Sequence, residues 1–480
     1  MSSQSAFEAT PASSIDAATS DSAALLQSGA APLEPPMTPI PTMTSTPITP
    51  KTPATAQRVV LAFSGGLDTS FLLLYLQERY GYEVITATVD TGGFSAIALA
   101  EIEARAYKLG ACEHHNIDAK ETVFADHIRF LIFGNVRRGQ TYPLCVGAER
   151  VTQARAVATL ALERSATAVA HGSTGAGNDQ VRFDVMLRAL CPDLEIITPI
   201  RDESWSRQAS SDWLRARGIP VAERTTNYSV NEGLWGVTIG GKETHDSWAS
   251  LPPEAWAWSV EPEAAAPAGV EIILLFESGL PIAIDGRALA PVALIEALNQ
   301  LGASHGIGRG VHLGDTILGI KGRVAFEAPA AAILIDAHRE LEKLVLSRWQ
   351  QHHKDQLAAS YGLLLHEAAY LDPVMRDLEA FLLSSQSAVC GEVRLRLCQG
   401  RLSVLGVRSP YSMMSAQAGT YGEVNTLWSG AEARGFATIV GTQSRLAERA
   451  KQNGDRLRST CHDDRVDTAN SVSLQAATAS

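Results

Sequence analysis

Short apolar runs alternate with longer amphipathic segments between Arg58 and about Arg224. Four runs bounded by turn residues have the composition of β-strands, namely RVVLAF, EVITATV, ATAVAHG and LEIITP. Three intervening segments repeat their apolar residues at helical spacing, namely TSFLLLYLQERYG, SAIALAEIEARAYKLG and ERVTQARAVATLALERS. Strands that alternate with helices predict an α/β fold with a Rossmann-like, doubly wound parallel sheet.

The pattern changes beyond Thr225. Two stretches have the form of antiparallel strand pairs, namely GVEIILLFESGLPIAIDGRAL and GEVRLRLCQGRLSVLGVRS. Two others have helical periodicity, namely PVALIEALNQLGASHG and AHRELEKLVLSRWQQHHKDQLAASYGLLL. Strand pairs with helices between them predict a second domain of the α+β class.

The domain organisation follows from these patterns and from the composition of the two ends. Residues 1–56 are rich in alanine, serine, threonine and proline, so we expect a disordered tail that cannot bury enough apolar surface to order itself. We expect the parallel-sheet domain at residues 57–224 and the α+β domain at residues 225–440. Residues 441–480 form a polar tail, which we expect to begin as an exposed helix.

Composition and charge exclude several classes of function. The chain has 480 residues, 45% of them hydrophobic and 19% charged, and its formal net charge is -12. This charge disfavours broad contact with nucleic acid or an anionic membrane surface. No apolar run reaches the roughly 18 residues that cross a bilayer. The six cysteines form no CxxC pair, and the tail has neither arginine nor a secretory apolar segment, so we expect a reduced, cytoplasmic location.

The stretch VVLAFSGGLDTS, from Val59 to Ser70, ends a buried strand in two glycines and several small polar residues. At the carboxyl end of a parallel strand, a helix N-terminus presents free N–H groups to a ligand. Glycines allow these N–H groups to approach a phosphate closely. The spacing is neither that of a Walker loop nor that of GxGxxG. The alternative is an ordinary glycine turn with Asp68 or Thr69 as the helix N-cap.

A second motif, HGSTGAGNDQVRF, also follows a predicted strand and begins a helix. Asn178 and Arg182 are four residues apart and share one helical face, which we expect to point toward the glycine loop. An amide, the carboxylate of Asp179 and a guanidinium can together hold a zwitterionic small molecule. The alternative is a solvated helix start with an Asn-Asp cap.

The first motif resembles the pyrophosphate-binding loop SGGxD[ST] of the ATP pyrophosphatases, and both motifs together resemble the argininosuccinate synthase family. The similarity extends from about Arg58 to Ala437 and includes YPL, LNQLGASHGIGR and GEVRLRL…VLGVRSPYS. It implies a PP-loop nucleotide-binding domain followed by a synthetase and oligomerisation domain. In this family the ureido oxygen of citrulline attacks the α-phosphate of MgATP and expels pyrophosphate, and the aspartate amine then displaces AMP.

The resemblance implies a role for each matching residue. The residues implied to bind ATP are Ala62, Phe63, Ser64, Gly65, Gly66, Leu67, Asp68, Thr69, Ser70, Val89 and Gly172. Those implied to bind aspartate are Thr174, Asn178 and Asp179, and those implied to bind the acceptor citrulline are Tyr142, Asn178, Arg182, Ser229 and Thr238. Ser64, Asp68 and Asp179 are the catalytic candidates, with Asp68 placing Mg²⁺ or pyrophosphate. The family also implies a homotetramer.

Several positions depart from the family pattern. Ala176 stands in place of a lysine and Gly93 in place of a glutamine. On the acceptor side, GTSLARP is replaced by CVGAERV, which keeps Arg150 but puts Gly147 where a hydroxyl contacts citrulline. The family glutamate that neutralises the citrulline α-amino group aligns with Gly314, and a family tyrosine aligns with Phe326.

These departures leave three hypotheses open. The enzyme acts on citrulline, with Asp315 or another acid replacing the lost glutamate after a one-residue shift. Alternatively it joins aspartate to a different ureido or amide acceptor in specialised metabolism. A third hypothesis is a non-catalytic binding protein on the same scaffold.

Overall fold

The computed structural model describes residues 57–221, 228–414, 422–423 and 427–458. All of the described residues belong to one compact unit. The tail predicted at residues 1–56 lies outside the described residues, and so does the end of the C-terminal tail from residue 459 onward.

The first half of the chain builds a five-stranded sheet. Its strands are β1 (Arg58–Ala62), β2 (Glu83–Asp90), β3 (Glu113–Asp118), β4 (Ala168–Ala170) and β5 (Glu195–Ile197). They lie in the order β3-β2-β1-β4-β5, and every neighbouring pair is parallel. The strand order runs outward from β1 in both directions, which confirms the predicted doubly wound sheet.

Helices cover both faces of this sheet. They are α1 (Leu67–Tyr75), α2 (Ala96–Lys108), α3 (Lys120–Val123), α4 (Arg129–Phe133), α5 (Glu149–Glu163), α6 (Asn178–Leu190), α7 (Pro199–Asp202) and α8 (Arg207–Arg215). Alternate residues of β1 point to opposite faces. Val59 and Leu61 pack into one apolar cluster, whereas Val60 packs into the other. The central strand is therefore buried on both sides, as its continuous apolar run indicates.

The strand β3 has no counterpart among the predicted elements. Its sequence, EHHNID, is polar, and none of its six residues is fully buried. An edge strand pairs on one side only and needs few apolar side chains. Hydrophobic patterning therefore gave no signal for it.

The second half of the chain builds two antiparallel sheets. One contains β6 (Ser229–Gly233), β7 (Gly236–Gly240), β11 (Arg309–Asp315) and β12 (Lys321–Glu327), in the order β11-β12-β7-β6. The other contains β8 (Val270–Glu277), β9 (Leu280–Ile284), β10 (Arg287–Ala288), β13 (Gly391–Cys398) and β14 (Arg401–Arg408), in the order β10-β9-β8-β13-β14. The second of these sheets contains both predicted strand pairs, which confirms them.

Further α-helices follow in the second half of the chain, and the helix at Gly430–Val440 has no buried residue. They are α9 (Pro291–Ser304), α10 (Pro329–Val345), α11 (Arg348–His366), α12 (Val374–Ser384) and α13 (Gly430–Val440). The long helical segment predicted after Ala337 is divided between α10 and α11, because Ser347 begins a new helix with a capping box to Gln350. Residues 442–458 are helical and mostly exposed, as expected for the start of the polar tail.

Candidate functional site

The glycine loop lies between β1 and α1, at the carboxyl edge of the parallel sheet. Gly65 has a φ of 70°, and a Cβ atom there would lie 2.9 Å from Ile102 Cγ1, so this position requires glycine. The helix N-cap is Gly66, which makes no side-chain cap hydrogen bond. The alternative with Asp68 or Thr69 as N-cap is therefore wrong, and the first N–H groups of α1 have no side-chain cap.

Hydroxyl groups of the loop are held close to one another. The Ser64 and Thr69 hydroxyl oxygens are 3.3 Å apart, and Ser70 donates to the Gly65 carbonyl at 3.4 Å. Arg105 also donates to that carbonyl, at 2.9 Å. These contacts fix the loop and leave Ser64 exposed at its tip.

The remaining residues implied to bind ATP lie along the same sheet edge. Ala62 ends β1, Phe63 and Leu67 are buried beneath the loop, and Val89 lies near the end of β2. Burial raises the pKa of Asp68 above its ordinary value, and the charge of Arg207 partly opposes this. Asp68 is thus a partly desolvated carboxylate in the first turn of a helix that begins at the glycine loop.

The second motif lies against the first. A Cβ atom on Gly172 would lie 3.4 Å from Thr69 Cγ2 and 3.5 Å from Asp68 Cβ. His171, just before it, contacts Asp184 Oδ1 through Nε2 at 2.9 Å. The two loops predicted from sequence therefore adjoin at the carboxyl ends of β1 and β4, where open α/β sheets bind their ligands.

The start of α6 carries the residues implied to bind aspartate. Its N-cap is Gly177 without a side-chain cap, so the alternative of an Asn-Asp cap is wrong. Thr174 lies exposed in the turn before the helix. The Asn178 side-chain oxygen accepts the Ile317 N–H at 2.9 Å, which ties α6 to the turn between β11 and β12.

Asp179 lies between two guanidinium groups. Its carboxylate oxygens contact Arg150 Nε at 2.9 Å and Arg182 Nη1 at 2.8 Å. Burial raises the pKa of Asp179, but the two arginines outweigh it and hold the pKa at about 2. Asp179 is therefore ionised at neutral pH, and the retained Arg150 is part of its support.

Two of the residues implied to bind the acceptor, Ser229 and Thr238, lie on the sheet β11-β12-β7-β6. Phe326 pairs with Thr238 across β12 and β7, and Thr238 pairs with Asn231 across β7 and β6. Arg150 donates to the Asn231 side-chain oxygen at 2.9 Å, which joins this row to Asp179. Ser229 lies two residues before Asn231 on β6 and is exposed.

The loop before α5 completes the acceptor side. Tyr142 is buried, donates its hydroxyl to the Cys145 carbonyl and packs on Phe326 with ring centroids 5.3 Å apart. A Cβ atom on Gly147 would lie 3.4 Å from Arg182 Nη2. The missing hydroxyl at residue 147 therefore faces the guanidinium that the resemblance assigns to the acceptor.

Two other departures have clear structural surroundings. A Cβ atom on Gly93 would lie 2.3 Å from the Glu232 carbonyl oxygen, so no side chain fits there without a backbone shift. Ala176 lies exposed in the loop before α6.

Sequence reasoning missed three residues of this region. They are Arg138, His312 and His366, which come from the loop after α4, from β11 and from the end of α11. Their segments carry no motif and are far apart in sequence, so only the fold brings them together.

Glu149 is a further buried carboxylate beside the site. It is fully buried, accepts from the Thr91 hydroxyl at 2.7 Å and faces Gly233, where a Cβ atom would lie 1.9 Å from one of its carboxylate oxygens. Burial raises the pKa of Glu149 to about 7, although the Thr91 hydrogen bond lowers it.

We expect Glu149→Gln to change the pH dependence of stability. Because the folded pKa of about 7 exceeds the ordinary value of 4.5, the contribution of Glu149 is fully present below about pH 4.5. It is lost as the pH rises through about 7. The free energy of unfolding of the variant, relative to the parent protein, should therefore rise by about 3 kcal/mol between pH 4.5 and 8. Urea titrations at several pH values measure this, with exposed Glu121→Gln as the control. Parallel profiles for parent and variant would contradict the assignment.

The fold and the two adjoining loops are those of a nucleotide-binding domain of the ATP-pyrophosphatase class. Residues 58–220 match the model of the arginosuccinate synthase N-terminal HUP domain, and residues 228–447 match that of the arginosuccinate synthase C-terminal domain. The chain belongs to the argininosuccinate synthase family. It is therefore an ATP-dependent carbon–nitrogen ligase, as is argininosuccinate synthase, an enzyme of arginine biosynthesis.

Curated relatives agree over most of both chains. The argininosuccinate synthase of Xanthomonas campestris is 41% identical over 397 residues, which are 82% of this chain and 98% of the relative. The argininosuccinate synthases of Methanocaldococcus jannaschii and Dehalococcoides mccartyi are each 38% identical to this chain. Each match spans 82% of this chain, with 98% of the Methanocaldococcus jannaschii protein and 96% of the Dehalococcoides mccartyi protein. Among the described residues, no helix is both long and apolar enough to span a bilayer.

Proposed function

We propose that this enzyme joins the amine of aspartate to the carbon of a ureido group at the expense of ATP. The ureido oxygen attacks the α-phosphorus, the α–β phosphoanhydride bond breaks, and pyrophosphate leaves. The aspartate amine then attacks the ureido carbon, the bond from this carbon to the AMP oxygen breaks, and a proton is released. With citrulline as the ureido compound, the product is argininosuccinate.

The contact between the two loops supports this proposal most strongly. Gly172 packs directly on Asp68 and Thr69. The second motif, which continues from Gly172 to the residues proposed for aspartate, therefore begins against the region proposed for the phosphates. A reaction at phosphorus followed by transfer at carbon needs both nucleophiles beside the α-phosphate. The arrangement supplies that proximity without a large rearrangement.

The proposed roles follow the positions of the residues. The ATP site comprises residues 62–70 with Val89 and Gly172. Thr174, Asn178 and Asp179 bind aspartate, and Asp179 stays ionised to attract its ammonium group. Tyr142, Asn178, Arg182, Ser229 and Thr238 line the acceptor site. Ser64, Asp68 and Asp179 are the groups closest to the chemistry.

Mg²⁺ fits this site only together with ATP. In the ranges that the structure describes, no group of three His, Cys, Asp or Glu side chains is arranged to hold a metal. The carboxylate of Asp68 is the hard oxygen ligand that Mg²⁺ prefers, and phosphate oxygens and waters would complete the coordination. When bound, Mg²⁺ neutralises charge on the triphosphate and on departing pyrophosphate.

Product analysis tests the proposal. Purified enzyme with ATP, Mg²⁺, aspartate and citrulline should form AMP and pyrophosphate in equal amounts, with omission of aspartate or citrulline as controls. AMP formation that does not depend on any ureido compound would contradict it, and so would ADP as the nucleotide product.

Thr174→Ala should raise the KM for aspartate about tenfold or more and leave the KM for ATP nearly unchanged, because a hydroxyl donor to a charged group is lost. Steady-state kinetics with each substrate varied in turn measure this. Thr174→Ser keeps the hydroxyl and should restore most of the affinity. Equal changes in the KM for aspartate and the KM for ATP would contradict the assignment of Thr174 to the aspartate site.

A second candidate function is ligation to an acceptor other than citrulline. The carboxylate of Asp315 pairs with Lys321 at 2.6 Å and is about half exposed, which weighs against Asp315 as the replacement for the glutamate aligned with Gly314. This position favours an altered acceptor. The hypothesis of a non-catalytic protein has no comparable support.

The organisation of the chain is proposed on the same basis. We divide it into a tail at residues 1–56, a nucleotide-binding domain at 57–224, a synthetase domain at 225–440 and a C-terminal tail at 441–480. The cytoplasm is the proposed location. Phe436, Ile439 and Val440 are exposed on α13 by 60–74%, and an apolar helix face of this kind supports the homotetramer that the family implies.

A further inference from the structure

Arg138 lies at the proposed acceptor side of the site without an ion pair among the described residues, although its charge, after the hydrogen bond and charge of Lys321, lowers the pKa of the Asp315 carboxylate. Arg138 Nη1 contacts His366 Nε2 at 2.8 Å, and its Nη2 donates to the Asp315 backbone carbonyl at 2.8 Å. Within the described part of the chain, no carboxylate lies within ion-pair distance of Arg138. Its neighbour Arg182 already shares Asp179 with Arg150.

The imidazole of His366 lies between two guanidinium groups. Arg138 faces its Nε2 at 2.8 Å, and Arg182 Nη2 faces its Nδ1 at 3.0 Å. A neutral imidazole accepts at one nitrogen and donates at the other, so it cannot accept from both arginines. In one of the two contacts, therefore, an imidazole N–H and a guanidinium N–H face each other as two donors without an acceptor. An anion placed beside Arg138 and His366 would accept from both and relieve this conflict.

His312 occupies the space above Gly314. A Cβ atom on Gly314 would lie 2.5 Å from His312 Nε2, so the imidazole fills the place where a longer side chain at residue 314 would begin. His312 is 8% exposed, and its Nε2 atom is buried without a hydrogen-bond partner. A buried polar atom of this kind costs free energy unless a ligand or water satisfies it.

The two histidines and Arg138 are close neighbours of the proposed acceptor residues. His312 stacks on Tyr142 with ring centroids 5.7 Å apart. Burial, and after it the charge of Arg138, lowers the pKa of His312. Burial, and after it the charges of Arg182 and Arg138, lowers the pKa of His366. Arg138, His312 and His366 are called here the cationic cluster, after the single charge of Arg138, because the lowered pKa values keep both imidazoles neutral at pH 7. The cluster offers one positive charge and hydrogen-bond donors where an ammonium group needs an acidic residue.

We propose that the cationic cluster binds an anionic group of the acceptor. The acceptor is then a ureido compound that carries a carboxylate, and no ammonium group, at the carbon where citrulline carries its ammonium. This inference rests on the proposed function, because it names the class of ureido compound that the ligase uses. The extra carboxylate accepts from Arg138 and from one histidine, and Arg182 remains with Asp179.

Three ureido compounds that share citrulline's three-methylene spacer separate the possibilities. They are L-citrulline, with an ammonium group; 5-ureidopentanoate, with hydrogen in its place; and (3-ureidopropyl)malonate, with a carboxylate in its place. We expect kcat/KM to rise in that order, with at least a tenfold preference for the malonate over citrulline, because charge-assisted hydrogen bonds replace a like-charge contact. Citrulline as the best of the three would overturn the inference.

Two arginine variants test whether the cationic cluster causes the preference for (3-ureidopropyl)malonate over citrulline. Arg138→Gln should lower kcat/KM for (3-ureidopropyl)malonate about tenfold to hundredfold more than it lowers kcat/KM for citrulline. Arg137→Gln, on the same loop, removes a guanidinium that pairs with Asp336 instead, at 2.7 Å. It should leave the ranking of the three compounds unchanged. An equal loss for all compounds in Arg138→Gln would contradict the assignment.

A binding measurement separates this inference from the proposed function. Calorimetry with a non-hydrolysable ATP analogue present should show the malonate binding more tightly than citrulline, whether or not AMP forms. If the malonate binds more tightly but no ureido compound supports AMP formation, the ligase function fails and the cationic cluster stands. If AMP forms with citrulline and citrulline binds more tightly, the ligase function stands and the inference fails.

Discussion

Asp68→Ala is expected to lower the rate of AMP formation about 10²–10³-fold, because a preorganised charged group beside the reacting phosphates is lost. The folded protein should not become less stable. Burial already disfavours the ionised form of Asp68 and raises its pKa, so its removal takes away a desolvated charge. Single-turnover formation of AMP and thermal unfolding together measure the two effects.

The control for this prediction is a carboxylate on a helix surface. Asp212 on α8 has a side chain that is 60% exposed and pairs with Arg215. Asp212→Ala should leave the rate of AMP formation unchanged. Turnover of Asp68→Ala within a factor of two of the parent enzyme would contradict the role of Asp68 in the reaction. A lower melting temperature of this variant would show that Asp68 stabilises the fold.

Lys354→Met is expected to cause the largest loss of stability, about 3–5 kcal/mol. Lys354 and Glu342 are 1% and 3% exposed, and Lys354 Nζ contacts the Glu342 carboxylate and the Phe133 carbonyl, both at 2.9 Å. Removal of the lysine leaves a buried carboxylate that, within the described residues, accepts from Asn135 at 2.6 Å and Gln386 at 3.1 Å and has His338 Nδ1 3.8 Å away. Burial lowers the pKa of His338, which disfavours a compensating charge there. An unpaired buried charge is far more costly than a lost surface pair.

Two comparisons make this prediction specific. The double variant Lys354→Met with Glu342→Leu removes both charges, and we expect it to be more stable than Lys354→Met alone. The exposed pair Arg339 and Asp355, at 3.3 Å, should contribute less than about 1 kcal/mol when it is broken by Arg339→Met. Denaturant unfolding measures all three. A single variant as stable as the double variant would contradict the argument.

The sequence predicted the parallel sheet well because its central strands are buried on both faces. RVVLAF and EVITATV are almost continuously apolar, and the structure places them as β1 and β2. The predicted strand pairs in the third sheet are confirmed for a related reason, since alternation such as that of GEVRLRLC marks a strand with one buried face.

The sheet β11-β12-β7-β6 was not predicted, and physical reasons explain this. Gly310, Gly314 and Gly322 lie within β11 and β12 and make no apolar pattern. Their role is to leave room, since a Cβ atom on Gly310 would lie 2.3 Å from the Phe326 ring. Hydrophobic patterning does not reveal a strand in which glycines leave room for the side chains of neighbouring strands.

The candidate site also contains residues that the sequence predicts and residues that it does not. The loop residues from Ser64 to Ser70 and the helix start from Asn178 to Arg182 carry motifs, because each is one continuous segment of the sequence. Arg138 and His366 come from segments more than two hundred residues apart, with an Nη1–Nε2 distance of 2.8 Å. Only the packing of α11 against the loop after α4 brings them together. The sequence indicated an altered acceptor through Gly314 in place of a glutamate, and the structure adds the positive charge of Arg138 beside it.

Transfer of an oxygen atom tests the central claim most directly. The enzyme is given ATP, Mg²⁺, aspartate and a ureido compound labelled with oxygen-18 at the ureido oxygen, once as citrulline and once as (3-ureidopropyl)malonate. Mass spectrometry then measures the label in AMP. If the ureido oxygen attacks the α-phosphorus, the AMP formed should carry one oxygen-18 atom per molecule. Unlabelled AMP from both compounds would contradict the account.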